Sequence, residues 1–373
     1  MRKTVHSGPV EEPEQDLLLE ELERVIDEAG MRKASGEDDI PYKMIKKFGP
    51  KAKEMVLLMF NKCWAGEEIP NKWRTAVIKT LLKEGKDPKD TTSYRPISLT
   101  SCMGKLLEKI IADRMTKELE RRGLIADTQA GFRQNRCTTD QILKMTQSAT
   151  DQMHAKRGEN ATVITFFDYA KAYDKVWRDG LLFKMQEMDL PPRFVRYVRN
   201  FLSNRKTTVD INGTKCHPFY LKEGLPQGSA ISPLLFIVFI NDIGVDLHPQ
   251  TTASLFADDT SIWLPGGKDR RNETAVLMQT EVDKVLEWAK EWKMTINGDK
   301  TKSLIISSNP EDCQVDPKLK AGEGIIKLVP ALQVSGSRYR QRPQIPRARQ
   351  THDQEMPQSC PHSQVHGMEG LGK

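Results

Sequence analysis

Two places in the chain combine acidic residues with surroundings that chemistry could use. One is FADD (256–259), set between β-forming stretches; the other is Asp168, at the end of the apolar run ATVITFFD (161–168). Adjacent carboxylates in a turn repel each other unless solvent or a cation compensates. Alone, an Asp-Asp pair reads as a solvated turn, because aspartate is a favoured turn residue. A further carboxylate at the end of a neighbouring strand changes that reading. Asp168 and Asp258 would then share a hard, oxygen-preferring cation such as magnesium. That ion takes one or two protein carboxylates and leaves its other positions to water and substrate phosphate. Two such ions about 4 Å apart activate a 3′-hydroxyl and stabilise a departing pyrophosphate. Phosphoryl transfer asks little else of a protein than position and positive charge.

The elements that must present these carboxylates follow from apolar spacing. Helices are expected over 15–29, over 42–64 with a break at Gly49-Pro50, over 103–120, and over 138–156. Strands are expected over 72–82 and 161–168 and at TKSLIISS (301–308), with KEGKDPKDTTSYRP (83–96) as a basic, turn-rich loop. Two helices should follow Asp168, one carrying Leu181, Leu182 and Met185, the other Phe194, Val198 and Phe201. Asn212-Gly213 between alternating residues marks a tight hairpin. A helix over 233–243 should follow GLPQGS, and 253–264 should form a hairpin turning near its two aspartates. Met278, Val282, Val285, Leu286 and Ala289 mark a further helix. The irregular alternation is that of a mixed α+β chain, and no internal repeat is visible.

Composition sets broad bounds. With 373 residues, 38% hydrophobic and 29% charged, the chain has enough length for two or three subdomains, and its net charge of +6 suits an anionic polymer without requiring one. The six cysteines form no CxxC pair, which argues against a zinc ribbon or redox motif and for a reducing, intracellular setting. No apolar run approaches membrane-spanning length and no signal peptide precedes the polar residues 1–14, which are expected to be disordered. The expectation is a soluble protein without a membrane partner, in nucleus or cytoplasm, with no clear targeting signal.

Six blocks in order carry a specific likeness. FFDYAKAYDKV (166–176), GLPQGSAISPLLF (224–236) and LFADD (255–259) resemble palm motifs A, B and C of non-LTR (LINE-type) retrotransposon reverse transcriptases. SYRPISLTSCMGKLLEKIIADRM (93–115) and QAGFRQNRCTTDQI (129–142) resemble their fingers blocks, and WKMTINGDKTKSLIIS (292–307) their motif D region. The resemblance spans roughly 15–310. It implies a right-hand polymerase fold with fingers and palm, the thumb truncated or absent. Residues 15–160 would form an N-terminal extension and fingers, 161–310 the palm, and 311–373 an incomplete thumb start and an aberrant, disordered tail. The implied activity is RNA-directed DNA synthesis with an RNA template, a DNA primer, deoxynucleoside triphosphates and two Mg2+ ions, for which Mn2+ could substitute.

The resemblance also assigns residues. Asp168 and Asp258 become metal ligands, and Asp259 completes the acidic turn. Tyr173 takes the place of an aromatic gate against the ribose 2′-hydroxyl; otherwise it is a core aromatic. Asp174 is expected to be structural, paired with Lys175 or another base. Gly224 and Gly228 would let backbone approach a nucleotide, Pro226 lies between them, Gln227 would hydrogen-bond the nucleotide, and Ser229 could cap the next helix. Lys83, Arg95 and Lys300 would meet the incoming triphosphate or pyrophosphate, their alternative being solvated surface bases. Phe132, Arg133 and Arg136 form a basic-aromatic cluster suited to a template strand. The QNRC that follows Phe132-Arg133 departs from the Gly-containing turn and Ser of relatives, which leaves the details of that contact open.

Two further departures stand out. No endonuclease precedes residue 15, so the chain reads as a fragment or a separate polymerase region. After about Leu332 apolar periodicity fades into SGSRYRQRPQIPRARQ, where the family would begin a Leu-Gly-Val-Thr-like strand. The string GGGGTCACGATAC encodes Gly-Val-Thr-Ile in one frame and Gly-Ser-Arg-Tyr one base later, so the tail reads as an out-of-frame translation; a genuine disordered basic tail is the competing reading. The alternative function is a catalytically inactive nucleic-acid-binding remnant.

Overall fold

Local rules set the helices of the computed structural model. It describes residues 15–340 except 32–33, 83, 91–92, 155–160, 212, 267–270, 308, 310–312, 314 and 335–336; for 95–96 and 331–340 it describes backbone only. Leu22, Val25 and Ile26 give α1 (Leu19–Glu28) its buried stripe. After α2 (Tyr42–Ile45), α3 (Pro50–Ala65) begins on Pro50, where a missing N–H costs nothing, and stops at Gly66 with φ +107°. The short α4 (Asn71–Arg74) leads into β1 (Thr75–Leu82). β2 (Tyr94–Leu99) follows, then α5 (Cys102–Arg121), whose first turn is capped by the Ser101 hydroxyl accepting the Gly104 N–H at 3.1 Å.

β1 pairs antiparallel with β2 and parallel with β4 (Lys206–Ile211), to which β5 (Thr214–Lys215) and β6 (Phe219–Tyr220) are added. β2 overlaps the end of the stretch expected to be a turn-rich loop, at residues 94–96. Its Pro96 is tolerated because β2 lies at the edge of this sheet.

A second sheet carries the acidic residues. β3 (Ala161–Phe167) is central, antiparallel to β8 (Asp259–Gly266) on one side and β9 (Lys302–Ser307) on the other, with β7 (Thr252–Phe256) outside β8. Along β3, Val163 and Phe167 enter the main core, which also holds residues of α7 (Arg178–Glu187), α8 (Pro192–Leu202), α9 (Ser232–Phe239) and α10 (Arg271–Glu291). Ile164 and Phe166 point to the other face. There they join Trp263, Leu304 and Met145 of α6 (Thr138–Met153).

Past β9, the chain forms a small hairpin of β10 (Lys320–Ala321) and β11 (Gly324–Ile325). β12 (Lys327–Leu328) then pairs parallel with β9. The central sheet is thereby extended by two residues of the segment expected to start a thumb. β13 (Ala331–Val334) and β14 (Ser337–Arg340) pair with each other, so ordered backbone pairing continues past the expected break near Leu332. The rest of the tail, and residues 1–14, lie outside the described residues. Among the described residues no helix is long and apolar enough to cross a membrane.

One buried cation ties three helices together. Lys184 of α7 is 5% exposed and donates to the Phe239 carbonyl at 2.7 Å and to Asp242 Oδ1 at 2.5 Å. Its ammonium also lies 3.7 Å from the centroid of Trp292 and 4.7 Å from that of Trp288. Burial pulls its pKa down to about 8, although Asp242 acts in the opposite direction. Between pH 8 and the ordinary lysine value the unfolded chain holds a proton that the folded chain has released, so stability rises with pH across that window. Below pH 8 both states are protonated and the contribution is constant. Urea unfolding from pH 7.5 to 10 should therefore show wild type gaining stability relative to Lys184→Met by up to about 3 kcal/mol, at 1.36 kcal/mol per pKa unit. A pH-independent difference between the two would contradict it.

Candidate active site

Strand register assembles the carboxylates. Phe256 pairs with Asp259, leaving Ala257 and Asp258 as a two-residue hairpin turn. Ala257 has φ +54°, a region that costs a side chain about 1–2 kcal/mol and that glycine usually occupies in such turns. Phe167 pairs with Thr260, so Asp168, the next residue, is level with Asp259. Strands lie about 4.8 Å apart, which brings three carboxylates to one end of the sheet.

The surroundings of the three differ. The protein around Asp258 pushes its carboxyl above the ordinary value, and the charges of Asp259 and Asp168 push further, although the residue reaches solvent. The backbone of Asp168 is fixed by the motif D turn. Its carbonyl accepts the Asn297 N–H at 2.7 Å, and its N–H donates to Thr301 Oγ at 3.4 Å. The same turn carries Lys300, whose Nζ lies 3.8 Å from Asp168 Oδ2. A cleft of about 140 Å³ opens beside them, bounded by Thr138, Gln141, Phe166, Asp168, Asp259 and Lys300.

This donor set fits a divalent cation completed by substrate. Mutually repelling carboxylates at an open edge gain from a cation, yet among the described residues no group of three or more His, Cys, Asp or Glu side chains could hold a metal by themselves. A hard ion that retains several positions for water and phosphate matches such a partial shell.

Tyr173 stands over the site from the main core. Its ring stacks on Phe236 with centroids 4.5 Å apart, and burial together with the charge of Asp258 raises its phenol above the ordinary value. Tyr173 also accepts the Leu225 N–H at 2.8 Å, tying motif A to the GLPQGS loop.

The glycines of the GLPQGS loop lie close to backbone of the same chain. A Cβ on Gly224, at φ +78°, would stand 2.5 Å from the Asp174 carbonyl oxygen; one on Gly228, at φ +87°, would stand 2.8 Å from that of Ser98. The backbone they make room for is the chain's own. Gln227 donates to Asp174 Oδ1 at 3.1 Å, while Lys175, the partner expected for Asp174, pairs with Glu223 at 2.6 Å. Pro226 is buried. Ser229 Oγ accepts the N–H groups of Ile231 and Ser232, each at 3.3 Å, in the manner of a cap, and donates to Glu108 at 2.6 Å.

Sequence reasoning missed two of the residues that hold this loop. Glu108 is buried within α5, which raises its carboxyl, and it also accepts the Ala230 N–H at 2.7 Å. Arg178 donates to the carbonyls of Gly224, Leu202, Leu221 and Glu223. The only signals available were an acid inside an apolar helix and an arginine at a helix start.

The basic-aromatic cluster is divided. Phe132 is 55% exposed at φ +56°, open to a stacking partner. Arg133 is turned inward, pairing with Glu120 at 2.6 Å and donating to the carbonyls of Ala126 and Gln129, so it shapes the loop. Arg136 donates to the Asp127 carbonyl and side chain near the surface. Lys83 and the side chain of Arg95 lie outside the described residues.

Residues 83–339 match the family described as reverse transcriptase (RNA-dependent DNA polymerase). The chain is 30% identical over 305 residues to the RNA-directed DNA polymerase from mobile element jockey of Drosophila melanogaster, covering 80% of this chain and 32% of that protein. It is 28% identical over 287 residues to the probable RNA-directed DNA polymerase from transposon X-element of the same fly, covering 76% and 31%. It thus spans about a third of the length of the curated relatives it matches. Among solved structures, apo telomerase from Candida tropicalis aligns at TM-score 0.46 and 12% identity over 65% of this chain and 52% of that one. The ordered motifs, the carboxylates joined by strand register, and a family match over well over half the sequence agree: the chain belongs to the reverse transcriptase (RNA-dependent DNA polymerase) family.

Proposed function

We propose that this chain is the polymerase region of a non-LTR retrotransposon, adding deoxynucleotides to the 3′-hydroxyl of a DNA primer on an RNA template and releasing pyrophosphate. The observation that carries the reading is the placement of Asp168 level with the Asp258–Asp259 turn at the mouth of an open cleft. In this reading 15–160 supplies the N-terminal extension and fingers and 161–310 the palm, with β4 to β6 crossing back to complete the fingers sheet.

Reverse transcriptases as a family use divalent metal ions. Here Asp168 and Asp258 would hold two magnesium ions, with manganese as a substitute, supplying the Lewis acidity that activates the hydroxyl and offsets charge on the leaving pyrophosphate. Asp259 keeps the turn acidic and lines the cleft. Lys300, 69% exposed and beside Asp168, has the reach to move a proton or its charge to the pyrophosphate. Tyr173, wedged by Phe236, presents a rigid ring where a 2′-hydroxyl would collide. Phe132 offers a stacking surface to the template and Arg136 a charge for its backbone. Gln227 and Gly228 border the incoming nucleotide, Gly224 and Pro226 shape the loop beneath the template–primer, and Lys83 and Arg95 serve the triphosphate.

Primer extension on an RNA template with magnesium and deoxynucleotides tests the core of this. Wild type should extend, while Asp258→Ala and Asp168→Asn should each lose at least about a thousandfold in rate, roughly 4 kcal/mol of barrier. Template–primer binding should be retained in both. Binding without extension by wild type would leave the inactive remnant as the reading.

The gate has its own readout. Tyr173→Ala should raise incorporation of ribonucleotides relative to deoxynucleotides by about 10- to 100-fold, the scale of one steric contact in a pocket. An unchanged ratio would return Tyr173 to the role of a core aromatic.

A further inference from the structure

The acidic turn has a second wall, formed where the QAGFRQNRCTTDQI block begins, whose first residue has no assigned role. In a two-residue hairpin the ladder closes on the flanking pair, here Phe256 and Asp259, so the first turn N–H points away from the strands. That group, Ala257 N–H, is buried, and a buried donor needs a partner. It finds one in Gln129 Oε1 at 3.1 Å, which also accepts the Gly131 N–H at 2.7 Å. Both neighbours are donors, so the amide atom facing them is the oxygen. Gln129 itself is 0% exposed.

The loop that carries Gln129 runs along the outer edge of β7. Leu255 N–H donates to the Thr128 carbonyl and Ala130 N–H to the Leu255 carbonyl, each at 2.9 Å. Gly131 then lies directly against the turn: a Cβ there would stand 2.2 Å from Ala257 N. Arg133 anchors the loop from behind, holding the Gln129 carbonyl at 3.1 Å and Glu120 of α5 at 2.6 Å. A strained residue at φ +54° immediately precedes Asp258, and the side chain that satisfies its N–H belongs to a segment more than a hundred residues away.

We propose that Gln129 is a positioning residue for the acidic turn: by holding Ala257 N–H it fixes where the Asp258 carboxylate sits, and so sets its affinity for the divalent ion. The inference rests on the reading of Asp258 as a metal ligand. Gln129 does not touch the reacting atoms. Its effect passes through one backbone hydrogen bond, and chemistry decides it: the group must accept hydrogen bonds and must reach. Leucine fills similar space without accepting. Asparagine accepts but is one methylene short. A carboxylate both accepts and reaches.

The test is direct titration of Mn2+ by electron paramagnetic resonance on the full chain, with primer-extension kinetics alongside and near-UV circular dichroism as the check of folding. Gln129→Leu should weaken Mn2+ binding by about tenfold and lower kcat to a similar degree. KM for deoxynucleotide and Kd for template–primer should stay within about twofold, a split that general loss of folded protein would not produce. Gln129→Glu should bind Mn2+ at least as tightly as wild type. Should the leucine variant not fold, Gln129→Asn decides, with an expected loss of about threefold. Unchanged Mn2+ affinity in Gln129→Leu, or in Gln129→Asn where leucine is not tolerated, overturns the proposal. So does a glutamate variant that loses as much as leucine, because packing and not acceptance would then be the cause. Wild type that binds Mn2+ no better than Asp258→Ala overturns the metal reading and this inference together.

Discussion

The pairing of β3 with β8 governs everything else in this molecule. It runs from Ala161 opposite Gly266 to Phe167 opposite Thr260, and its last step brings Asp168 to the acidic turn. A slip of one residue would reverse every side chain, because strand side chains alternate. The core forbids that slip from both sides. Val163 and Phe167 fill the main core, and Ile164 and Phe166 fill the small cluster with Trp263 and Leu304 beneath α6. The apolar packing of the sheet thereby fixes the relative position of charges that would otherwise separate. Polar geometry at the site is a consequence of hydrophobic register.

What the register gathers is unfavourable in the protein alone. Asp258 carries a raised carboxyl because desolvation and two neighbouring charges oppose its ionisation, and Ala257 sits in a backbone region costly for a side chain. Such strain persists only where the surroundings over-determine it. Here they do so several times over: β8 closes the turn, the 128–131 strip covers its far side, and the Asn297–Thr301 turn pins Asp168. Lys300 offers one mobile positive charge, at 3.8 Å from Asp168, far short of neutralising three carboxylates. The remaining demand for positive charge is what a divalent ion would meet, with water and substrate phosphate filling its other positions.

Much of this was legible in the residues and some of it was not, for identifiable reasons. Periodicity marked α5 and α6, the break before Pro50, and the hairpin turning at Asp258, because those signals are local. The first half of β2 was hidden: residues 94–96 close a polar, proline-containing stretch, and pairing with β1 makes them part of a strand. The glycines of GLPQGS announced a close approach without naming the partner, which turned out to be the backbone of Asp174 and Ser98. Glu108 and Gln129 stand inside family-like blocks and Arg178 just after one, but nothing local says what any of them holds. Each acts on backbone groups far along the chain, and no local pattern distinguishes such a residue from a surface one. Arg133 stands in a motif that suggests a nucleic-acid contact, and within the chain itself Glu120 and two carbonyls engage it, which no local pattern announces.

Residues of this kind share a consequence. The 224–230 loop is tied to elements that belong to different sheets. Gly228 rests on the Ser98 carbonyl of β2, and Ser229 and Ala230 are held by Glu108 of α5. Its other end is fixed to the segment after β3, through Leu225 on Tyr173, Gly224 on Val176 and Gln227 on Asp174. The loop thereby links the first sheet to the second, and two of its residues are glycines at positive φ. Tyr173 is bonded to that same stretch and stacked on Phe236 at its far end. The ring that would meet the sugar and the turn that would hold the metal are thus positioned by separate devices, one through the 224–230 loop and one through Gln129. On the proposed reading, a substitution that loosens one need not disturb the other, so sugar selection and metal affinity would be physically separable.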